Sequence, residues 1–294
     1  MPAREKGHGP AAGISGDAVL HDTGGRGAPA TLALPCLVVF ALRERARAAV
    51  RTAFPRRRAR IIAVRSGAEL AETLRSTLTD AVIVDLGGSG LETERALGLA
   101  REFPSLPFVG IAPLRGADGP ALASAVAHEF ADVVIEGVDD GVLRALIAPL
   151  AFSTRFANAL WTPPPALRLD AALQQSAWHS VIVQGGRPVK TSALAATLGV
   201  TREHLSRSFA SGGAPNLKRV IDLVRLLAAA ELSKNPGYDV RDVARVLGFA
   251  SASHLSSTAQ RVIGTKPASL ARLRAVDLVD RFGQGRGRSR ASNQ

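Results

Sequence analysis

The chain has 294 residues, which predicts about two domains, since a typical domain has about 150 residues. Its composition, 46% hydrophobic and 21% charged residues, supports packed cores and excludes a wholly disordered protein. The single cysteine, Cys36, excludes a disulfide framework and a cysteine-based zinc site within one chain.

Membrane association and secretion are not expected. The longest uncharged apolar run, residues 27–42, has sixteen residues and two prolines, fewer than the roughly 20 residues of a spanning helix. The first thirty residues carry Glu5, Asp17 and Asp22 and lack the basic-then-apolar pattern of a secretory signal. We expect a cytoplasmic protein.

The net charge of +12 is concentrated in one half of the chain. Residues 151–294 hold twenty Lys and Arg against eight Asp and Glu, whereas residues 1–150 are neutral. A neutral half joined to a strongly basic half suggests that the basic half meets a polyanion.

Changes in composition predict five segments. Residues 1–34 are rich in Gly, Ala and Pro and predict a disordered leader. The triple proline at 163–165 predicts an extended Pro-rich linker over residues 153–168, because proline cannot continue a helix. This linker separates domains at 35–152 and 169–275, and residues 276–294 form a basic Gly/Arg/Ser tail.

The first domain alternates short apolar runs with amphipathic stretches, which predicts a doubly wound α/β fold. Five almost wholly apolar runs predict parallel strands buried on both faces, in the flavodoxin-like order 2-1-3-4-5. The predicted strands are residues 36–42, 60–64, 81–85, 108–112 and 132–136. The predicted helices are residues 43–53, 68–78, 92–103, 117–130 and 141–151.

The second domain is predicted to be all-α and contains a repeated pattern. Ala195 is followed four residues later by Gly199, and Ala244 is followed in the same way by Gly248. Two helices that cross steeply need a small residue at their contact and glycine at the tight turn. The pattern therefore predicts two helix-turn-helix units, joined by a helix over residues 216–233, whose second helices suit the major groove of DNA.

Residues 169–274 resemble the DNA-binding domain of AraC/XylS-type transcription regulators, which carries two helix-turn-helix units joined by a long helix. The resemblance is carried by the segment 194–209, by Arg225-Leu226 and Ala229, and by the spacing from Gly248-Phe249 to Gly264-Thr-Lys-Pro267. The sequence departs from the family pattern at Ser208 and Ala259, where bulky apolar residues are usual.

The first recognition helix, near residues 201–210, presents Arg202, Glu203, Ser206 and Arg207 on its outward face. Arginine can bond guanine twice, and glutamate can accept from cytosine. The resemblance implies that Glu203, Ser206 and Arg207 face bases, while Arg202 lies nearer the backbone. We predict that Thr201 caps the helix.

The second recognition helix, near residues 251–261, presents short side chains that discriminate poorly between bases. We therefore predict that this unit positions the protein on DNA phosphates through helix amides and basic side chains. Its predicted DNA-binding residues are Ala252, Ser253, His254, Ser256, Ser257, Arg261 and Lys266.

The first domain resembles the receiver domain of response regulators. Asp85 ends the third predicted strand, where that family has its phosphoacceptor. The carboxylates that hold Mg²⁺ after the first strand are replaced by Ala41-Leu42-Arg43, the hydroxyl residue by Ala112 and the lysine by Glu136. We interpret the domain as a pseudo-receiver that acts without phosphorylation, and keep Asp85 as a weak candidate site.

No other pattern predicts an enzyme, a metal site or a cofactor. The turn at residues 87–90 lacks the spacing of a P-loop or a dinucleotide fingerprint, and the six histidines show no close pair at metal-ligand spacing.

The sequence thus predicts a sequence-specific DNA-binding transcription regulator, with double-stranded DNA as its partner. By resemblance we also expect a homodimer, with RNA polymerase as a further candidate partner and an effector of unknown identity. Two alternatives stay open. The first is a phosphorylation-dependent response regulator, and the second is a small-molecule-binding or enzymatic α/β domain fused to a DNA-docking module.

Overall fold

The computed structural model describes residues 34–113 and 119–291. Five parallel strands form one sheet in the order β2-β1-β3-β4-β5, which confirms the predicted topology. The strands are β1 (Cys36–Phe40), β2 (Arg60–Val64), β3 (Ala81–Asp85), β4 (Phe108–Ala112) and β5 (Asp132–Ile135). The helices of this half are α1 (Glu44–Ala53), α2 (Gly67–Ser76), α3 (Leu91–Glu102), α4 (Gly119–Ala127) and α5 (Leu143–Ile147).

Each face of the sheet is covered, which explains the unbroken apolar runs of its central strands. Successive residues of a strand point to opposite faces. Leu37 and Val39 accordingly join one apolar cluster with α1 and α5, whereas Val38 and Phe40 join the other with α2 and α3. The second cluster continues into the carboxy-terminal half without a break.

The carboxy-terminal half is helical, which confirms the predicted fold class. Its helices are α6 (Phe152–Ala159), α7 (Ala172–Ile182), α8 (Thr191–Thr197), α9 (Arg202–Ala210), α10 (Leu217–Leu232), α11 (Val240–Val246), α12 (Ala252–Ile263) and α13 (Ala275–Ala291). Helix α10 contacts α7, α9, α11, α12 and α13, so it is the central strut of this half.

The segment predicted as an extended linker, residues 153–168, is not a spacer. It begins inside α6, whose Phe152 and Phe156 are buried and stack with ring centroids 5.9 Å apart. Leu167 is fully buried beyond the prolines, and the Trp178 indole donates to the Leu160 carbonyl at 2.8 Å. The prolines do stop the helix, but the apolar residues on both sides bury themselves in the core.

The predicted tail, residues 276–294, also begins differently. Helix α13 starts at Ala275 and buries Leu278, Val279 and Phe282, because apolar residues recur there at helical spacing. The predicted leader, residues 1–34, lies outside the described residues except for Leu34.

The two halves share a buried interface between the end of α3 and the loop after α10. The Phe103 and Tyr238 rings meet edge to face with centroids 4.9 Å apart, and the Tyr238 hydroxyl donates to the Leu74 carbonyl at 3.1 Å. Asn235 is 1% exposed and pairs twice with Ser105, accepting from its amide at 2.8 Å and donating to its hydroxyl at 2.6 Å.

Asp80, a fully buried carboxylate, ties three segments together at the same junction. It accepts from the Cys36 amide at 2.8 Å, from the Ser153 amide at 3.0 Å and from the Arg187 guanidinium at 2.9 Å. Since a buried carboxylate is costly unless it is paired and hydrogen-bonded, this site holds β1, α6 and the loop before α8 in one arrangement.

Candidate nucleic-acid interface

The first helix-turn-helix unit consists of α8 and α9. Gly199 has φ +67°, which favours glycine, and the Val200 amide closes the turn on the Ala195 carbonyl at 3.0 Å. The Thr201 hydroxyl accepts from the His204 amide at 3.1 Å, so Thr201 caps α9 as the sequence predicts.

The second unit, α11 and α12, repeats this turn, with one more residue between the glycine and the helix cap. Gly248 has φ +63°, and the Phe249 amide bonds to the Ala244 carbonyl at 2.8 Å. The Ser251 hydroxyl caps α12 by accepting from the His254 amide at 3.1 Å. A Cβ at Gly248 would lie 2.7 Å from the Pro188 ring, so close packing also requires glycine here.

Both units are fixed to α10. Arg225 of α10 lies over the Phe249 ring, with its guanidinium carbon 3.8 Å from the ring centroid, and donates to the Leu247 carbonyl at 3.0 Å. Burial lowers the pKa of Arg225 from its ordinary value. An arginine this desolvated holds the second turn in place, while Leu205 and Phe209 anchor α9 in the same core.

The eleven side chains predicted to meet DNA all lie at the protein surface, and none of them is buried. On α9, Arg202, Glu203, Ser206 and Arg207 are exposed. On and after α12, Ala252 and Ser256 are partly exposed, whereas Ser253, His254, Ser257, Arg261 and Lys266 are exposed. Of the two departures from the family pattern, Ala259 is buried and Ser208 is partly exposed.

Three of these residues are already engaged within the protein, and one of them is Ser257, whose hydroxyl donates to the His254 carbonyl at 3.1 Å. The His254 ring accepts from the Ala250 amide at 3.3 Å and packs edge-on against Phe249. The Arg261 guanidinium lies 3.0 Å from the Asp222 carboxylate of α10. The contacts of His254 and Arg261 fix the directions in which these two side chains leave the helix.

The structure also reveals a basic groove between the two units, which sequence reasoning missed. It is lined by Thr191, Arg202, Ser206, Asn216, Leu217, Lys218, Arg219 and Arg261. None of these lining residues carries a carboxylate. Burial, and then the charge of Arg261, lower the pKa of Arg219, whose guanidinium lies 4.9 Å from the Phe282 ring centroid.

One signal could have revealed this groove. Helix α10 has no acidic residue in its first turn, where Lys218 and Arg219 follow the capping Asn216. Basic residues are unfavourable at the positive end of the helix dipole. Their presence there is the feature that a search for anion-binding surfaces would select.

The receiver-like site at the carboxyl edge of the sheet is filled by an arginine. Asp85 is fully buried at the end of β3, and the Arg43 guanidinium pairs with it at 2.5 Å and with Glu136 at 2.6 Å. Arg45 reaches Glu136 from outside at 2.8 Å. Burial by itself lowers the pKa of Arg43, but hydrogen bonds and attraction from Asp85 and Glu136 outweigh it and raise the pKa above its ordinary value.

The remaining bonds of Asp85 complete this closed arrangement. It accepts from the Arg43 amide at 3.0 Å and from the Gly87 amide at 3.0 Å. A Cβ at Gly87 would lie 2.5 Å from the Arg43 guanidinium, so the arginine is packed on the backbone as well as paired. Sequence reasoning named all three residues, but it did not predict that Arg43 bridges Asp85 and Glu136.

Within the described ranges, no helix is long and apolar enough to cross a membrane. The same residues contain no cluster of three or more His, Cys, Asp or Glu side chains that could hold a metal ion.

A family model described as a helix-turn-helix domain matches residues 194–272. No curated protein matches the chain. Among solved structures, the chain is similar to a response regulator from Thermotoga maritima, with 18% identity and a TM-score of 0.35 over 40% of this chain and 98% of that one.

Two further solved structures are similar to a longer part of this chain. Full-length FixJ from B. japonicum is 11% identical, with a TM-score of 0.35 over 64% of this chain and 94% of that one. RcsB from Salmonella enterica serovar Typhimurium, bound to promoter rprA in the presence of phosphomimetic BeF3-, is 13% identical, with a TM-score of 0.33 over 64% of this chain and 97% of that one.

Proposed function

We propose that this chain is a DNA-binding transcription regulator, since a helix-turn-helix domain model matches residues 194–272 and the same segment resembles AraC/XylS-type regulators. We further propose that both of its units enter successive major grooves of one operator. The observation that carries the proposal is the repeated, capped turn. It leaves α9 and α12 on one central helix with polar faces exposed. A helical bundle that binds no DNA would not require two such turns.

The first unit supplies most of the base recognition. Arg207 and Arg202 are exposed on α9, and their guanidinium groups make no hydrogen bond or ion pair with the described residues. An arginine bonded twice to guanine discriminates by about 1–3 kcal/mol. Glu203 on the same face adds an acceptor for cytosine.

The second unit positions the protein. Its exposed hydroxyls, Ser253 and Ser257, can pair with donors or acceptors and so distinguish bases weakly. Lys266 is exposed beyond α12 and, with Arg261, supplies charge for backbone phosphates.

The basic groove contacts the DNA backbone between the two units. Its four cations, Arg202, Lys218, Arg219 and Arg261, are brought together from three helices. Each phosphate that such a cation neutralises releases counterions and steepens the dependence of affinity on salt.

The receiver-like domain acts without phosphorylation. An acceptor aspartate must be open to the phosphoryl donor and to Mg²⁺, but here Asp85 is buried and paired with Arg43, and Glu136 replaces the family's lysine. Incubation with acetyl phosphate and Mg²⁺ should leave the intact mass unchanged. A gain of one phosphoryl group that Asp85→Asn abolishes would contradict this.

The same domain pairs with a second copy of the chain. Val126, Val138, Val142 and Leu146 are exposed on and between α4 and α5, beside β5, and the family resemblance favours pairing through a helix-strand face. Analytical ultracentrifugation should show a dimer that Val138→Glu converts to a monomer. A monomeric wild-type protein at tens of micromolar would refute this part.

The operator test is a binding-site selection with the full-length protein, followed by footprinting at two salt concentrations. We expect two protected major-groove segments about one helical turn apart, with more sequence information in one of them. Binding should weaken with salt while the preferred sites persist. Uniform protection without sequence preference would refute specific recognition.

A further inference from the structure

A cavity of about 240 Å³ lies where α6, α10 and α13 meet. It is not part of the surface proposed to meet DNA. Its floor is apolar and consists of buried side chains from all three helices, Phe152 and Phe156 of α6, Leu227 of α10 and Leu278 of α13.

Charged side chains lie among the lining residues at the exposed rim of this cavity. Arg155 and Lys234 are exposed, and Glu231 is partly exposed. Lys234 pairs with Glu231 at 2.5 Å one turn away on the same chain segment. Such surface pairs contribute little stability and exchange partners easily.

Arg155 supplies the uncompensated charge. One of its terminal nitrogens, Nη2, donates to the Ser105 carbonyl at 2.5 Å, and this contact fixes the guanidinium beside the cavity. No carboxylate is paired with it among the described residues. The rim therefore carries one net positive charge over an apolar floor.

We propose that this cavity binds a small monocarboxylate with an apolar body, its carboxylate on Arg155 and Lys234 and its body against Phe152, Phe156 and Leu227. Ligand pockets combine apolar walls with a few placed polar groups in this way. The volume is below the roughly 300–1,000 Å³ of pockets for drug-sized ligands, so the ligand has on the order of ten non-hydrogen atoms.

The position of the cavity gives such a ligand access to the DNA-binding half. Leu227 and Ala230 belong to α10, the strut that carries both helix-turn-helix units, while Phe152 and Arg155 belong to the segment entering from the receiver-like domain. A molecule bound here touches both halves at once.

Isothermal titration calorimetry of the full-length protein with hexanoate, 1-hexanol and hexylamine tests the proposal. We expect hexanoate to bind with a Kd below 1 mM, and the alcohol and the amine at least tenfold more weakly. Arg155→Gln should weaken hexanoate at least tenfold and leave 1-hexanol unchanged. Ala159→Leu, which narrows the cavity from α6, should weaken all three.

Two controls keep the result interpretable. Lys234→Gln tests the rim without touching the Arg155 contact to Ser105, and Arg101→Gln removes one exposed positive charge from the receiver-like domain. Thermal unfolding establishes that each variant is folded. Absence of hexanoate binding at 5 mM, equal binding of 1-hexanol, or a loss matched by Arg101→Gln would each overturn the proposal, without bearing on the DNA-binding surface.

Discussion

Arg43 turns the receiver-like site into a structural ion cluster. Its guanidinium lies between two carboxylates whose side chains are almost fully buried, Asp85 and Glu136. Removal of one partner from a buried pair leaves charge uncompensated and costs about 3–5 kcal/mol. This pairing is the basis of the proposal that Asp85 serves the ion cluster and not phosphoryl transfer.

Arg43→Met should lower the free energy of unfolding by about 3 kcal/mol at pH 7, because two buried carboxylates lose their shared cation. Urea denaturation followed by circular dichroism measures this. The matched control is Arg95→Met, which breaks an exposed pair with Glu92 and should cost under about 1 kcal/mol. Equal effects of the two variants would show that the cluster adds no stability.

Cys36 is a probe of the core. Burial raises the pKa of its thiol, and the charge of Asp80 adds to this, whereas the charges of Arg60 and Arg187 lower the pKa by less than burial raises it. We expect no reaction with a thiol reagent such as Ellman's at pH 8 in the native protein, and one thiol per chain in urea. A raised folded pKa also means that this thiol lowers stability as the pH rises above its unfolded pKa of about 8.5. Rapid native labelling would contradict this.

Arg207 and Ser256 occupy the recognition helices of the two units. Arg207→Gln should reduce discrimination at one base pair by about 1–3 kcal/mol, whereas Ser256→Ala should change the selected sequence little. Binding-site selection with both variants measures the difference. Greater loss of sequence information from Ser256→Ala would reverse the proposed division of labour.

Among the elements, the strands were the most predictable. The bounds of β2, β3 and β4 coincide with the predicted runs, because strands buried on both faces are continuous in apolar residues. The glycine turns of both helix-turn-helix units were equally clear, since glycine was required at fixed positions. Those features depend on residues that are close together in the chain, so the sequence pattern is enough to predict them.

The burial of helix α6 and the grouping of cations in the basic groove were not predictable in the same way. The prolines after Trp161 correctly indicate a break, but only the tertiary fold determines that Phe156 is buried rather than exposed in a linker. Lys218 and Arg219 belong to a groove whose other cations come from distant parts of the chain. An apolar pattern predicts which residues are buried, but it does not predict which distant residues they pack against.

Lys218→Gln should flatten the slope of log affinity against log salt by about 0.9, as expected for one lost phosphate contact, and leave the preferred sequence unchanged. Fluorescence anisotropy at several salt concentrations measures the slope. Arg101→Gln is the control of equal charge on the other half. An altered preferred sequence would place Lys218 at a base instead.

At the scale of the whole molecule, the apolar core continues from the receiver-like sheet into the helical half. Tyr238, Asn235 and Gly237 follow α10 directly and are bonded to residues of α2 and α3 or the loop after α3. The pattern of the sequence predicts two halves, but not that they share this surface, because the interacting residues are more than a hundred positions apart.

Tyr238→Ala should destabilise both halves together, by about 3–5 kcal/mol, through loss of the Phe103 contact and creation of a cavity. Tyr238→Phe keeps the ring and loses the bond to Leu74, so it should cost about 1 kcal/mol. Denaturation monitored by near- and far-ultraviolet dichroism should show one transition in the wild type. Independent unfolding of the halves in the wild type would contradict a shared core.

The junction at Tyr238 bears on how this protein can be engineered. A hybrid made by joining the carboxy-terminal half to a foreign domain would leave the Tyr238 phenol, Gly237 and Asn235 without the surface that now covers them. Such a hybrid would need a replacement for Phe103 and Ser105, so the carboxy-terminal half cannot be moved to another protein without redesign of this surface.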